Sequence, residues 1–173
     1  VVLVGMVRRT TRCRESGWSA GAEGYKRQVY PHGLEVMVHT MEQFPEAGLG
    51  ISQKVVEDVK PYPFLMDPKE TFTREFLKRG VLGLGPTGTI VRRDAFEKLG
   101  GFTGTRYIGD TELWYKIALV YPVVKMEEEL IFWRQHDDQE ITKGQDSFFY
   151  LENAFKLKLN TLNKEELPLG ALE

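Results

Sequence analysis

Residues 85–102 read GPTGTIVRRDAFEKLGGF, residues 109–118 read GDTELWYKIA, and residues 130–136 read LIFWRQH. In order, these stretches spell a glycine-rich turn, a strand, a short helix, a longer helix and a second strand. Gly85, Pro86 and Gly88 punctuate the chain, and Thr89, Ile90 and Val91 continue as β-forming residues. Asp94 and Glu97 have the spacing of a capping box, and Gly100 stands where a helix end favours positive φ. From Asp110 onward, Leu113, Trp114, Ile117, Ala118 and Tyr121 recur at helical spacing until Pro122 stops the run. Val123–Met126 and Leu130–Trp133 then read as two short strands.

Outward from this core the pattern persists. Pro31 suits a first helical position, and Leu34, Met37, Val38, Met41 and Phe44 line one helical face as far as Pro45. Leu49 to Gln53 reads as a strand. Asp67, followed by Pro68 and Glu70, opens a helix through about Lys78, which Gly80 ends. Val81 to Val91 is strand-like with a glycine-rich kink. The last helix starts near Ser147, with Phe148, Leu151, Phe155, Leu159 and Leu162 as its apolar stripe. Helices alternating with strands predict an α/β chain.

Residues 1–30 break the pattern. Val1–Val7 suits a short buried strand, but Gly17, Gly21 and Gly24 with Ser16 and Ser19 read as loop. This segment carries six basic and two acidic residues, a net +4 that leaves −6 on the rest of a chain at −2 overall. It is expected to be less firmly folded than residues 31–160. The chain begins with Val and reads as starting inside a longer frame; residues 161–173 read as a tail.

At 173 residues, 42% hydrophobic and 28% charged, the chain is one domain's worth with enough apolar mass for a core. The mild net charge argues against bulk nucleic-acid binding. A single Cys13 leaves no internal disulfide or cysteine metal cluster and fits a reducing compartment. No apolar run approaches the ~20 residues of a membrane span. Val1–Val7 precedes Arg8 and Arg9, the reverse of a signal peptide's order, so the expected location is cytoplasmic.

The order of motifs over 85–136 resembles the acceptor-side half of family 2 glycosyltransferases with the GT-A fold. In that family a Gly-containing strand leads to Arg and a short helix ending in Gly-Gly-Phe; an Asp-x-x-Leu-Trp helix follows, then a strand ending in Arg-x-His. The resemblance covers roughly residues 31–140 and implies a partial GT-A mixed sheet flanked by helices. It implies an inverting transfer of a sugar from a nucleoside diphosphate sugar to an acceptor hydroxyl. Asp110 would be the general base, although an Asp at a helix start is by itself an ordinary N-cap. Gly85, Thr87, Gly88 and Thr89 would line the sugar pocket, joined at the substrate by Arg92, Trp114 and Arg134. His136, beside Arg134, would face the diphosphate or its metal.

The same resemblance implies Mg²⁺ or Mn²⁺ in the parent enzyme. The carboxylate pair that holds such an ion belongs before the helix at Pro31. There the sequence offers Lys26 and Arg27 instead. Asp110 and Glu112 are no substitute, because two residues along a helix rotate the side chains ~200° apart. Gly83, Gly85 and Gly88 match a dinucleotide fingerprint, yet Pro86 interrupts it and a strand follows rather than a helix. The expected partners are therefore a nucleotide sugar and a glycan or other hydroxyl acceptor, and this chain alone is expected to be inactive. An unpaired sheet edge, if left by a missing donor half, invites homo-oligomers. The competing reading is a non-enzymatic glycan- or protein-binding module derived from such an enzyme.

Overall fold

The computed structural model describes residues 27–52, 60–105, 107–128, 130–133 and 148–169. The expectations for residues 1–26 and for Arg134 and His136 fall outside them. Two sheets organise what is described. A two-stranded antiparallel sheet pairs β1 (Arg27–Val29) with β6 (Ile131–Trp133). A four-stranded mixed sheet has the order β3 (Phe64–Met66), β5 (Val123–Met126), β2 (Leu49–Ser52), β4 (Thr89–Val91). Within it β2 runs parallel to β5, while β4 and β3 are antiparallel to their neighbours. The molecule is thus α/β with a mixed sheet, as its motif order predicts.

Side chains alternate across this sheet with a period of two. Leu49, Ile51, Val91 and Val123 enter one core cluster with Phe72, Trp114 and Ile117. That face receives α2 (Pro68–Leu77), α3 (Arg93–Lys98) and α4 (Gly109–Val120). Ile90, Val124 and Met126 point the other way, against Met37 and Met41 of α1 (Pro31–Gln43). The α1 stripe read from sequence is therefore the one that meets the sheet. Both edge strands are only three residues long, a length at which pairing with a second chain gains little.

Local chemistry explains the element ends. Asp67 caps α2, its carboxylate accepting from Glu70 N–H at 2.7 Å. The Glu70 side chain does not complete a capping box; it takes Lys60 and Arg74, each at 3.0 Å. Asp94 and Glu97 do not form the expected box either. Helix α3 begins two residues earlier with Arg92 as its cap residue, and Glu97 pairs with Arg93 at 2.9 Å. Only Thr89–Val91 of the expected 81–91 strand is extended, because Pro86–Gly88 closes into a 3₁₀ turn first.

Helix α5 (Phe149–Leu162) departs furthest from expectation. Leu157 and Thr161 face inward, and the predicted stripe faces out: Phe148, Leu151, Phe155, Leu159 and Leu162 are 75%, 53%, 67%, 46% and 47% exposed. Beyond α5, Leu167 and Leu169 pack against the first core cluster, so the chain past residue 161 is not simply a tail. No helix among the described residues is long and apolar enough to cross a membrane.

Candidate functional site

Three segments far apart in sequence touch around the 3₁₀ turn. The Trp114 indole N–H, from α4, donates to the Leu84 carbonyl at 2.8 Å. A Cβ built on Gly88 stands 2.8 Å from the Leu84 side chain and 3.2 Å from Ile131 of β6. Gly88 is buried beneath the side chains of Leu84 and Ile131, which would have to shift to admit a Cβ, so it does not line an open pocket. The strand that leads to Arg134 and His136 is thereby held against the glycine-rich turn, and α4 is held against the same turn from its second helical turn.

Asp110 lies in the first turn of α4, four residues before Trp114 and so on the same side of the helix. The helix starts at Gly109 with Ile108 as its cap residue, so Asp110 sits inside the first turn rather than acting as the N-cap. Its Oδ1 accepts the Thr111 N–H at 2.8 Å, which fixes the carboxylate at the helix end where negative charge is favoured. The neighbouring Gly109 has open space around it: an added Cβ meets nothing within 4 Å.

The other predicted contacts separate into two groups. Gly85 and Thr87 belong to the partly exposed rim of the turn. Thr89, in contrast, is buried, and its hydroxyl donates to the Pro86 carbonyl at 2.9 Å, bracing the turn instead of facing a ligand. Trp114 is wholly buried and acts on the turn from beneath, through Leu84. Arg92 is directed elsewhere. Its guanidinium donates to the carbonyls of Ala47 at 2.7 Å, Phe44 at 3.0 Å and Met41, tying off the C-terminal end of α1. These geometries assign Arg92 and Trp114 to the scaffold, where sequence placed them at substrate.

Two features were not legible beforehand. Glu75 of α2 is buried, and its Oε2 accepts from Val81 N–H at 2.7 Å and Leu82 N–H at 2.9 Å. Its Oε1 accepts the Tyr115 hydroxyl at 2.6 Å. One carboxylate thus joins α2, α4 and the segment that enters the glycine-rich turn. The second feature is a clasp over the start of α4. Glu112 accepts from Thr103 and, at 3.0 Å, from Thr105, while Lys116 reaches its other oxygen at 3.2 Å. Glu112 is thereby turned toward the 103–105 loop, and Asp110 toward the Thr111 backbone.

Burial raises the Glu112 pKa, but the hydrogen bonds from Thr103, Lys116 and Thr105 and the Lys116 charge together outweigh it and hold the carboxyl below its usual range. A depressed folded-state pKa stabilises the fold above the unfolded value, about 4.5, and that contribution disappears as pH falls through the lower folded value. Amide protection factors at residues 103–105 should fall below that pH. In Glu112→Gln they should already be low at neutral pH and change little on acidification; equal acid sensitivity in both proteins would remove Glu112 from the clasp.

No family model, curated protein or solved structure matches this chain. The class is therefore given by architecture alone: an α/β chain in which Trp114 of α4 and Ile131 of β6 pack on the glycine-rich turn.

Proposed function

We propose that this chain is the acceptor-side portion of an inverting family 2 glycosyltransferase of GT-A type. The observation that carries the reading is the convergence just described. The three segments bearing the motif are separated by up to some fifty residues of chain, and the side chains of Trp114 and Ile131 bring them together at Leu84 and Gly88.

In this reading the acceptor lies over the start of α4, beside Gly85 and Thr87. Asp110 takes the acceptor hydroxyl's proton as that oxygen forms its bond to the anomeric carbon. The bond from that carbon to the diphosphate oxygen breaks, and the nucleoside diphosphate leaves with the electron pair. The Thr111 N–H keeps the carboxylate aimed, and the 103–105 loop, clasped by Glu112, forms one wall. Arg134 and His136 lie outside the described residues, and their part at the diphosphate rests on the resemblance alone.

The divalent ion implied by the resemblance finds no ready home in the described part of the chain. Among the described residues no group of three or more His, Cys, Asp or Glu side chains is placed to hold a metal. Asp110 and Glu112 are committed in different directions. Residues 24–30 carry Lys26 and Arg27 and no carboxylate. In this reading the donor diphosphate is recognised by the parent's other half.

The reading is tested on the chain itself. Titration of ¹⁵N-labelled protein with a panel of oligosaccharides should shift amide resonances in residues 84–89, 102–105 and 107–114, with millimolar affinity and little response elsewhere. Shifts confined to other surfaces would reassign the chain to the class of binding modules, and micromolar binding of a sugar nucleotide would show that no donor half is missing.

A further inference from the structure

The outward stripe of α5 is the largest apolar feature left without a neighbour among the described residues. Phe148, Leu151, Phe155, Leu159 and Leu162 follow one another at steps of three, four, four and three, the spacing of a helix–helix seam. Two phenylalanines and three leucines at such exposures present roughly 500 Å² of apolar surface, given ~150–250 Å² per aromatic side chain. That is at the upper end of what monomeric surfaces leave in one patch. Contributed twice, it comes to ~1,000 Å², the size a specific interface should clear.

We propose that α5 is a homodimerisation helix, packing antiparallel against α5 of a second copy about a two-fold axis near Phe155. The stripe is self-complementary in that arrangement. Phe155 meets its own counterpart, Leu151 meets Leu159, and Phe148 meets Leu162, each pair occurring twice except the central one. The flanking charges agree. Glu152 and Lys156 lie on one flank of the stripe, within a single helix, as an exposed pair at 2.6 Å. A two-fold axis of this kind sets like flanks side by side, so Glu152 stands within about two residue rises, ~3 Å along the axis, of the partner's Lys156. The same holds in the other direction. The pair can therefore exchange its internal partner for a cross-subunit one without leaving a charge unmatched.

This dimer uses a helix face, not the sheet edge expected from sequence, whose strands are too short to serve. It also bears on the candidate site. Phe149 packs edge-on against Tyr107 at 5.9 Å, just ahead of the helix that carries Asp110, so the N-terminal end of the seam adjoins the start of α4.

Sedimentation equilibrium of the whole chain decides the matter. The wild type should show a monomer–dimer equilibrium in the micromolar range. Phe155→Glu should weaken association by at least ~100-fold, because it buries two carboxylates against each other at the axis. Phe155 is mostly exposed in the monomer, so circular dichroism should show that this variant remains folded. A second measurement separates the seam from any effect within one chain. Glu152→Lys and Lys156→Glu should each associate more weakly than wild type alone, yet a mixture of the two should form a heterodimer at least ~10-fold tighter than either homodimer. A wild type that stays monomeric to millimolar concentration would overturn the proposal, as would dimers indifferent to Phe155→Glu or a mixture no tighter than its components.

Discussion

Asp110→Asn in an active parent polypeptide carrying this chain should lower kcat by ~10²–10⁴-fold while changing KM by only a few-fold, the range that positioned general bases contribute. Asn preserves what the structure shows Asp110 doing for the fold: its side-chain oxygen can still accept the Thr111 N–H at the start of α4. What Asn lacks is the ability to take a proton. The asymmetry between kcat and KM is therefore the informative readout, since loss of an acceptor contact alone would weaken binding in the ground state as much as in the transition state. Unfolding free energies of the two proteins should differ by no more than ~1 kcal/mol, the worth of a carboxylate's charge at a helix N-terminus. A loss in kcat below about tenfold would return Asp110 to an ordinary helix-terminal residue.

The contrast between Asp110 and Glu75 shows what a sequence discloses. Helix and strand periods, prolines and positive-φ glycines depend on neighbours a few residues away, so α1, α2, α4 and the strands at Leu49 and Val123 could be read directly, whereas the order of strands in the sheet rests on long-range pairing and could not. The N-cap at Asp67 is local in the same sense. Arg92 was harder: its three backbone acceptors, Met41, Phe44 and Ala47, lie about 45–51 residues away, and no local pattern announces a guanidinium that closes another helix. Trp114 was legible as part of the apolar face of α4 and was set at the substrate only by the resemblance; that its indole donates to Leu84, thirty residues away, no local pattern discloses. The α5 stripe was legible as a stripe, yet its period says only that one face is apolar. It cannot say whether that face meets the core or another molecule, and here Leu157 and Thr161 fill the inward side instead.

Glu75→Ala is expected to destabilise the fold by ~3–5 kcal/mol, enough to lower the urea midpoint steeply. The estimate follows from its partners. The substitution strands the Val81 and Leu82 N–H groups and the Tyr115 hydroxyl, all buried, and each unsatisfied donor costs ~1–3 kcal/mol. Glu75→Gln should cost far less, ~1–2 kcal/mol, because the amide keeps an oxygen for the two backbone donors and presents its NH₂ to the tyrosine oxygen. Gly80 holds a φ of +81°, and an added Cβ would stand 3.1 Å from the Glu75 carboxylate, which therefore fills that corner of the chain and leaves it empty when removed. Tyr115 supplies an independent check on the same cluster. Burial, and then the charge and hydrogen bond of Glu75, push its phenol pKa far above the ordinary value of 10.0. A folded-state pKa raised above the unfolded one stabilises fully below pH ~10 and is lost as pH rises beyond it. Stability of the wild type should therefore fall above that pH, and Tyr115→Phe should flatten the decline. If Tyr115→Phe left the alkaline slope unchanged, and Glu75→Ala unfolded no more easily than Glu75→Gln, the carboxylate would not be what holds the entry to the glycine-rich turn against α4.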